Sequence, residues 1–179
     1  MNAGSSHRIG RYLVTLTMLV CATTSHSIHA AESPPTKLAV FDFELEDGSA
    51  GASIAGDREI DDGFMKAVST EVRRTIEHSG RYELVDAGVA DAQAVQDRSL
   101  RECNGCEAAI AAALGAEQSL FGIVRRITRT EYVVSFHLRD AKTGKVIAHR
   151  ESDLRMGANY SWSRGAVSLV KTHLLDASP

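Results

Sequence analysis

The sequence predicts a single α/β domain: a five-stranded mixed sheet with helices packed on it, in the order β-α-β-α-β-β-β-α. Three observations predict it. Lys37–Leu45 (KLAVFDFEL) is almost continuously apolar, the pattern of a strand buried on both faces of a sheet that helices cover. Phe64, Met65, Val68, Val72 and Ile76 recur at helical spacing. Tyr132, Val134, Phe136 and Leu138 alternate with polar residues, as in a strand with one buried face.

The elements follow in order. Asp47 to Gly56 is rich in Gly, Ala and Ser and reads as a loop. The first helix runs from Asp61 to Ser79, with Asp61 and Asp62 favouring its start and Gly80 placed as its C-cap glycine. Arg81–Val85 is a second strand, and Asp91 to Glu102 is a polar loop or loose helix. Ala108–Leu114 forms a short Ala-rich helix ended by Gly115. Gln118–Ile127 is the third strand and Glu131–Arg139 the fourth. Asp140-Ala-Lys-Thr-Gly144 turns the chain back, and Lys145–Arg150 is the fifth strand. Trp162, Ala166, Leu169, Val170 and Leu174 mark a closing amphipathic helix. Helices between the first three strands imply parallel or mixed pairing with right-handed crossovers. The last three strands imply an antiparallel meander.

The first thirty residues read as a cleaved signal peptide. Arg8 and Arg11 precede the apolar run Tyr12–Ala22, and Ile28-His-Ala-Ala31 supplies a cleavage site after Ala30 or Ala31. The run is too short to span a bilayer comfortably, and no second one follows. Val20 stands where a lipoprotein signal needs a small residue before Cys21, so a lipid anchor is not expected. The expected organisation is a signal peptide over 1–30, a flexible leader over 31–36 and the domain over 37–176, in the periplasm.

Composition excludes several functions. The 179 residues carry 20 Lys+Arg and 23 Asp+Glu, a net charge of −3 that gives no overall attraction to nucleic acid. The charge is uneven. Residues 31–116 hold 8 basic and 17 acidic residues, whereas residues 117–179 hold 10 basic and 6 acidic. Arg125, Arg126, Arg129, Lys142, Lys145 and Arg150 fall on the meander. They either attract an acidic partner or a lipid headgroup surface, or pair with the acidic front half.

Gly51–Gly56 lies where a phosphate loop would, but Asp57 and Arg58 follow it instead of the Lys and Ser/Thr that phosphate and magnesium require. Nucleotide binding is therefore rejected. The acidic loop could hold calcium, but the EF-hand spacing fails, because Asp47 occupies the glycine position read from Asp42, Glu44 and Glu46, and a solvated acidic loop is the plainer reading. Asp42, inside an apolar strand, is an isolated carboxylate that either caps a neighbour or carries a shifted pKa. His78, His137, His149 and His173 show no ligand spacing. His137 and His149 could oppose each other across the hairpin as sheet-face residues. Cys103-Asn-Gly-Cys106 is the sharpest chemical feature. Asn-Gly permits the tight turn of a local disulfide, the preferred reading. The flanking Glu102 and Glu107 oppose thiolate formation and so weigh against redox activity. Two cysteines without a nearby histidine make only half a zinc site.

Val40-Phe-Asp-Phe-Glu44, Gly80-Arg-Tyr82, Cys103-Asn-Gly-Cys106 running into Ala112-Ala-Leu-Gly-Ala116, Gly122, and Ser152-Asp-Leu-Arg155 followed by Ser161-Trp-Ser-Arg-Gly165 occur in this order. Together they resemble a family of small exported Gram-negative proteins of unknown function, related to the TolB amino-terminal domain and CsgG-like periplasmic domains. The resemblance covers about residues 37–171. It implies the TolB amino-terminal-like fold, a periplasmic home and contact with another envelope protein. It implies no reaction and no cofactor. Met156-Gly-Ala-Asn159 departs from the Gly-Asn-rich turn expected after Arg155. Under this resemblance Asp153, Arg155, Trp162 and Arg164 join Arg125 and Arg126 as candidate partner-binding residues, with core packing the plainer role for Trp162. The expected function is a non-catalytic periplasmic binding or adaptor protein. The alternative is a thiol–disulfide protein using Cys103 and Cys106.

Overall fold

The computed structural model describes residue 1 and residues 34–50, 55–89 and 99–176. The expected signal peptide after Met1, residues 31–33 of the leader, the Gly51–Ile54 part of the acidic loop and residues 91–98 of the predicted polar loop lie outside the described residues. Among the described residues the fold is mixed α/β, with three α-helices and one seven-stranded sheet. The strands are β1 (Thr36–Val40), β2 (Glu44–Asp47), β3 (Tyr82–Val85), β4 (Gln118–Thr128), β5 (Glu131–Asp140), β6 (Val146–Glu151) and β7 (Arg155–Met156). The main path is β3-β1-β4-β5-β6; β2 adds to β4 and β7 to β5. The β1–β3, β1–β4 and β2–β4 pairs are parallel, while β4–β5, β5–β6 and β5–β7 are antiparallel. Parallel entry and antiparallel exit match the expectation.

The strand count corrects it, from five to seven. One addition is the two-residue β7. The other arises because the apolar run from Lys37 is split. Val40 lies opposite Leu120 and Glu44 opposite Ile123, so four residues on one side span three on the other. This bulge turns Asp42 outward and Phe43 back into the core. Asp42 is therefore not a buried carboxylate. It is exposed and bonded to Arg73 Nη2 at 2.8 Å, and the same guanidinium donates to Val40 O. The backbone N–H freed at Phe43 donates to Ser69 Oγ at 2.9 Å.

Helix α1 (Ala55–His78) begins earlier than expected, so Asp61 lies inside it and faces the core at 5% exposure. Met65, Val68, Val72 and Ile76 bury its inner face, and Gly80 leaves it at φ +66°. Helix α2 (Cys106–Ala113) and helix α3 (Trp162–Val170) follow the predicted positions. A π-turn, Lys171–Leu175, closes the chain. Helices α1 and α3 cover one sheet face through Leu38, Val40, Phe43, Leu120, Phe136 and Trp162. On the other face α2 packs Ala111 with Ala39, Phe41 and Phe121. Among the described residues no helix is long and apolar enough to cross a membrane.

Candidate functional site

The two neighbouring arginines of β4 have opposite fates because side chains alternate along a strand. Arg125 faces away from α1 and α3. Its Nε bonds Glu46 Oε2 at 2.9 Å and its Nη1 lies 3.7 Å from Glu151 Oε2. The hydrogen bond that Arg125 donates to Glu46 raises the Arg125 pKa above its ordinary value. Arg126 faces the helices and is nearly buried. It bonds Asp61 through Nη2, approaches Asp47 Oδ1 at 3.5 Å, and lays its guanidinium 5.1 Å from the Trp162 ring centre. Asp61 also accepts from Asn159 Nδ2 at 3.2 Å. Helix α1, strand β4 and the start of α3 thus meet in one ionic centre. It forms the wall of a cleft of about 320 Å³ lined by Ile60, Asp61, Arg126, Arg129, Asn159 and Trp162, among others.

Of the six basic residues on the meander, Arg125 and Arg126 take acidic partners from β2, α1 and β6, while Arg129, Lys142, Lys145 and Arg150 are exposed. Trp162 is 1% exposed and packs in the core. Arg155 is half-buried, with its Cδ against Gly165 and beside Tyr132, whose hydroxyl donates to Ser161 O. Asp153 and Arg164 are exposed, and among the described residues no ion pair joins Asp153 to Arg155. The structure therefore brings Arg126 and Trp162 together and leaves Arg125, Asp153 and Arg164 at separate places.

Cys103 and Cys106 are bonded, with Cα atoms 5.5 Å apart. Asn104 and Gly105 between them take φ +49° and +106°, the conformation that Asn-Gly tolerates. Sequence reasoning missed what lies beneath. Glu107 is 2% exposed, and its Oε1 stands 2.8 Å from Arg139 Nε, whose guanidinium also lies against Gly105 and donates to Gly144 O. This buried pair ties the disulfide loop to the β5–β6 hairpin. The only signal in the sequence was an acid in the first turn of a helix. The Oε2 atom of Glu107 is buried without a hydrogen-bond partner.

His137 and His149 do oppose each other across β5 and β6. Their rings stack with centres 4.2 Å apart and planes 10° from parallel. Burial first, then the facing His149 and Arg139, lower the pKa of His137 below its ordinary value.

No curated protein matches the chain. Among solved structures it is similar to the LpoB C-terminal domain from Salmonella enterica, at 15% identity over 69% of this chain and 84% of that one, with a TM-score of 0.46. It is similar to the PelC dodecamer subunit from Paraburkholderia phytofirmans, at 17% identity over 83% and 93%, with a TM-score of 0.48. It is also similar to TolB from Acinetobacter baumannii, at 14% identity over 79% of this chain and 29% of that one, with a TM-score of 0.38. A family profile matches residues 36–174, nearly the whole described domain, and the chain belongs to that family, described as "Protein of unknown function (DUF2380)".

Proposed function

We propose that this chain is a non-catalytic binding or adaptor protein of the cell envelope, exported by cleavage after residue 30 or 31, and that it docks another envelope protein. One observation carries the reading. Leu154, Met156 and Tyr160 are each more than half exposed within a single short segment, and Ile60 on the cleft wall is exposed to the same degree. A soluble surface normally scatters such side chains, and their concentration marks an interaction site. The polar groups behind them are committed to one another: Asp61 to Arg126 and Asn159, and Arg126 to Asp47 and Trp162. That arrangement holds a surface in shape. Trp162 and Arg126 thus support the platform from below, and Arg155 underlies the same segment. Arg164 and Asp153 remain candidates for its rim, and Arg125 for a separate contact on the opposite sheet face.

A photo-crosslinking residue at Tyr160 or Met156 is expected to capture one discrete envelope protein in cells, and one at Lys142 is not. Aspartate at both Tyr160 and Met156 is expected to abolish capture from Leu154. No specific product from any of the three apolar positions overturns the reading. Amino-terminal sequencing of the exported protein tests the leader: the first residue is expected to be Ala31 or Glu32.

A second reading, thiol–disulfide exchange at Cys103 and Cys106, is favoured by the carboxylate of Glu107 within 4.8 Å of both sulfurs. A buried carboxylate there can carry a thiol proton. Catalysed reduction of insulin would support it, and absence of turnover would leave a structural bridge.

A further inference from the structure

We propose that His137 and His149 form a two-imidazole clamp for a divalent transition-metal ion on the open face of the β5–β6 hairpin. Neutral imidazole is the commonest protein ligand for such ions, and it binds through a nitrogen lone pair. The two rings are presented together by the backbone, since His137 and His149 are direct partners in the antiparallel register. They stack with centres 4.2 Å apart. Metal–nitrogen bonds of about 2.0–2.1 Å place two nitrogens on a tetrahedral ion about 3.3 Å from each other. Rotation out of the stack about the terminal ring torsions, which are soft, is what would aim one nitrogen of each ring at a common ion.

The surroundings suit a neutral, accessible ligand pair. His149 is exposed. His137 is half-buried, with Phe121 as its neighbour on β4. Arg139, whose charge acts on His137, is paired with Glu107, and Glu151 is paired with Arg125. Among the described residues, the one cluster of three or more candidate ligands is Cys103, Cys106 and Glu107. The histidine pair therefore offers two protein ligands, with water completing the shell, and the ion keeps open positions. By ligand softness and the general order of affinities, Cu²⁺ binds tightest and Zn²⁺ more weakly.

The test uses tag-free protein titrated with Cu²⁺ alone and with Zn²⁺ alone by calorimetry, and electron paramagnetic resonance of the Cu²⁺ complex. One saturable equivalent is expected, with two equatorial nitrogens in the spectrum. His137→Ala and His149→Ala are each expected to weaken binding at least about tenfold and to remove the two-nitrogen signature. His78→Ala, on α1, is expected to change neither. Circular dichroism checks that the variants fold. No saturable binding by the wild-type protein, equal affinity in both variants, or a wild-type spectrum without two nitrogens overturns the proposal.

Discussion

The ring of Phe43 occupies the space a side chain at Gly122 would need. A Cβ built on Gly122 falls 2.1 Å from Phe43 Cε1 and 2.3 Å from Cζ. The bulge between β1 and β2 is what swings Phe43 onto that face of β4, and Gly122 is what lets it seat there.

Gly122→Ala is therefore expected to destabilise the fold by about 1–3 kcal/mol, the usual cost of overpacking a core. Phe43→Leu, combined with it, is expected to recover part of the loss, because the two side chains compete for one volume. Urea denaturation of the two single variants and the double variant measures the coupling. Simple additivity would show that the close approach does not govern stability.

The Asp61–Arg126 pair makes the second prediction. Both side chains are nearly out of solvent, at 7% and 12% exposure. Asp61→Ala leaves a guanidinium without its main partner, at a cost of about 3–5 kcal/mol. Replacing both residues together, as Asp61→Leu with Arg126→Met, is expected to cost clearly less, since no charge is then stranded. If the double variant is the weaker protein, the pair contributes net stability that this reasoning does not assign to it.

Much of this fold is legible in the sequence because its signals are local. The alternation in β5, the inner face of α1, and Gly80, Gly115 and Gly144 at positive φ each depend on neighbours a few residues away. The bulge at Phe41–Phe43 is not local. It depends on the register against β4, some eighty residues further on, and an apolar run reads the same with or without it. The start of α1 was missed for a related reason. Gly56 and Asp57 are poor helix formers, so the periodic residues alone place the boundary too late.

The candidate site was half legible. An acidic front and a basic rear announce that pairing is available, yet the choice of Asp61 and Asp47 for Arg126, and Glu46 for Arg125, follows from the faces of β4. Glu107 and Arg139 lie on elements that meet only in the folded chain, and nothing in either local sequence names the other.

The disulfide loop makes the third prediction. Cys103 and Cys106 close a very short loop, and such a bridge restricts the unfolded chain by only about 2 kcal/mol. Cys103→Ser with Cys106→Ser is expected to lower stability by about that much and to leave the fold intact. Glu107→Gln is expected to cost more, about 3–5 kcal/mol, because it leaves Arg139 unpaired where its side chain is only 15% exposed. Both changes loosen the same loop, so their effects are expected to fall short of additivity. Guanidinium denaturation of the three variants decides the order. A larger loss from the cysteines would make the bridge, and not the ion pair, the main fastening of α2.

The last prediction concerns pH. The His137 pKa is held below its ordinary value near 6.5, first by burial and then by the facing His149 and Arg139. The unfolded chain therefore binds this proton more readily than the folded one, and stability rises with pH across the interval between the two values. The contribution is present in full above about pH 6.5 and is lost as the pH falls through the depressed folded value. The melting temperature is expected to drop between about pH 7.5 and pH 5, and His137→Asn is expected to remove part of that slope while leaving the upper limb unchanged. His149→Asn is expected to flatten it as well, by removing one of the charges that depresses His137. Protons and metal ions compete for the same lone pairs, so Cu²⁺ uptake is expected to fall in the same interval. A slope identical in all three proteins would place the acid sensitivity elsewhere, and Cu²⁺ uptake that ignored the interval would place the metal on other ligands.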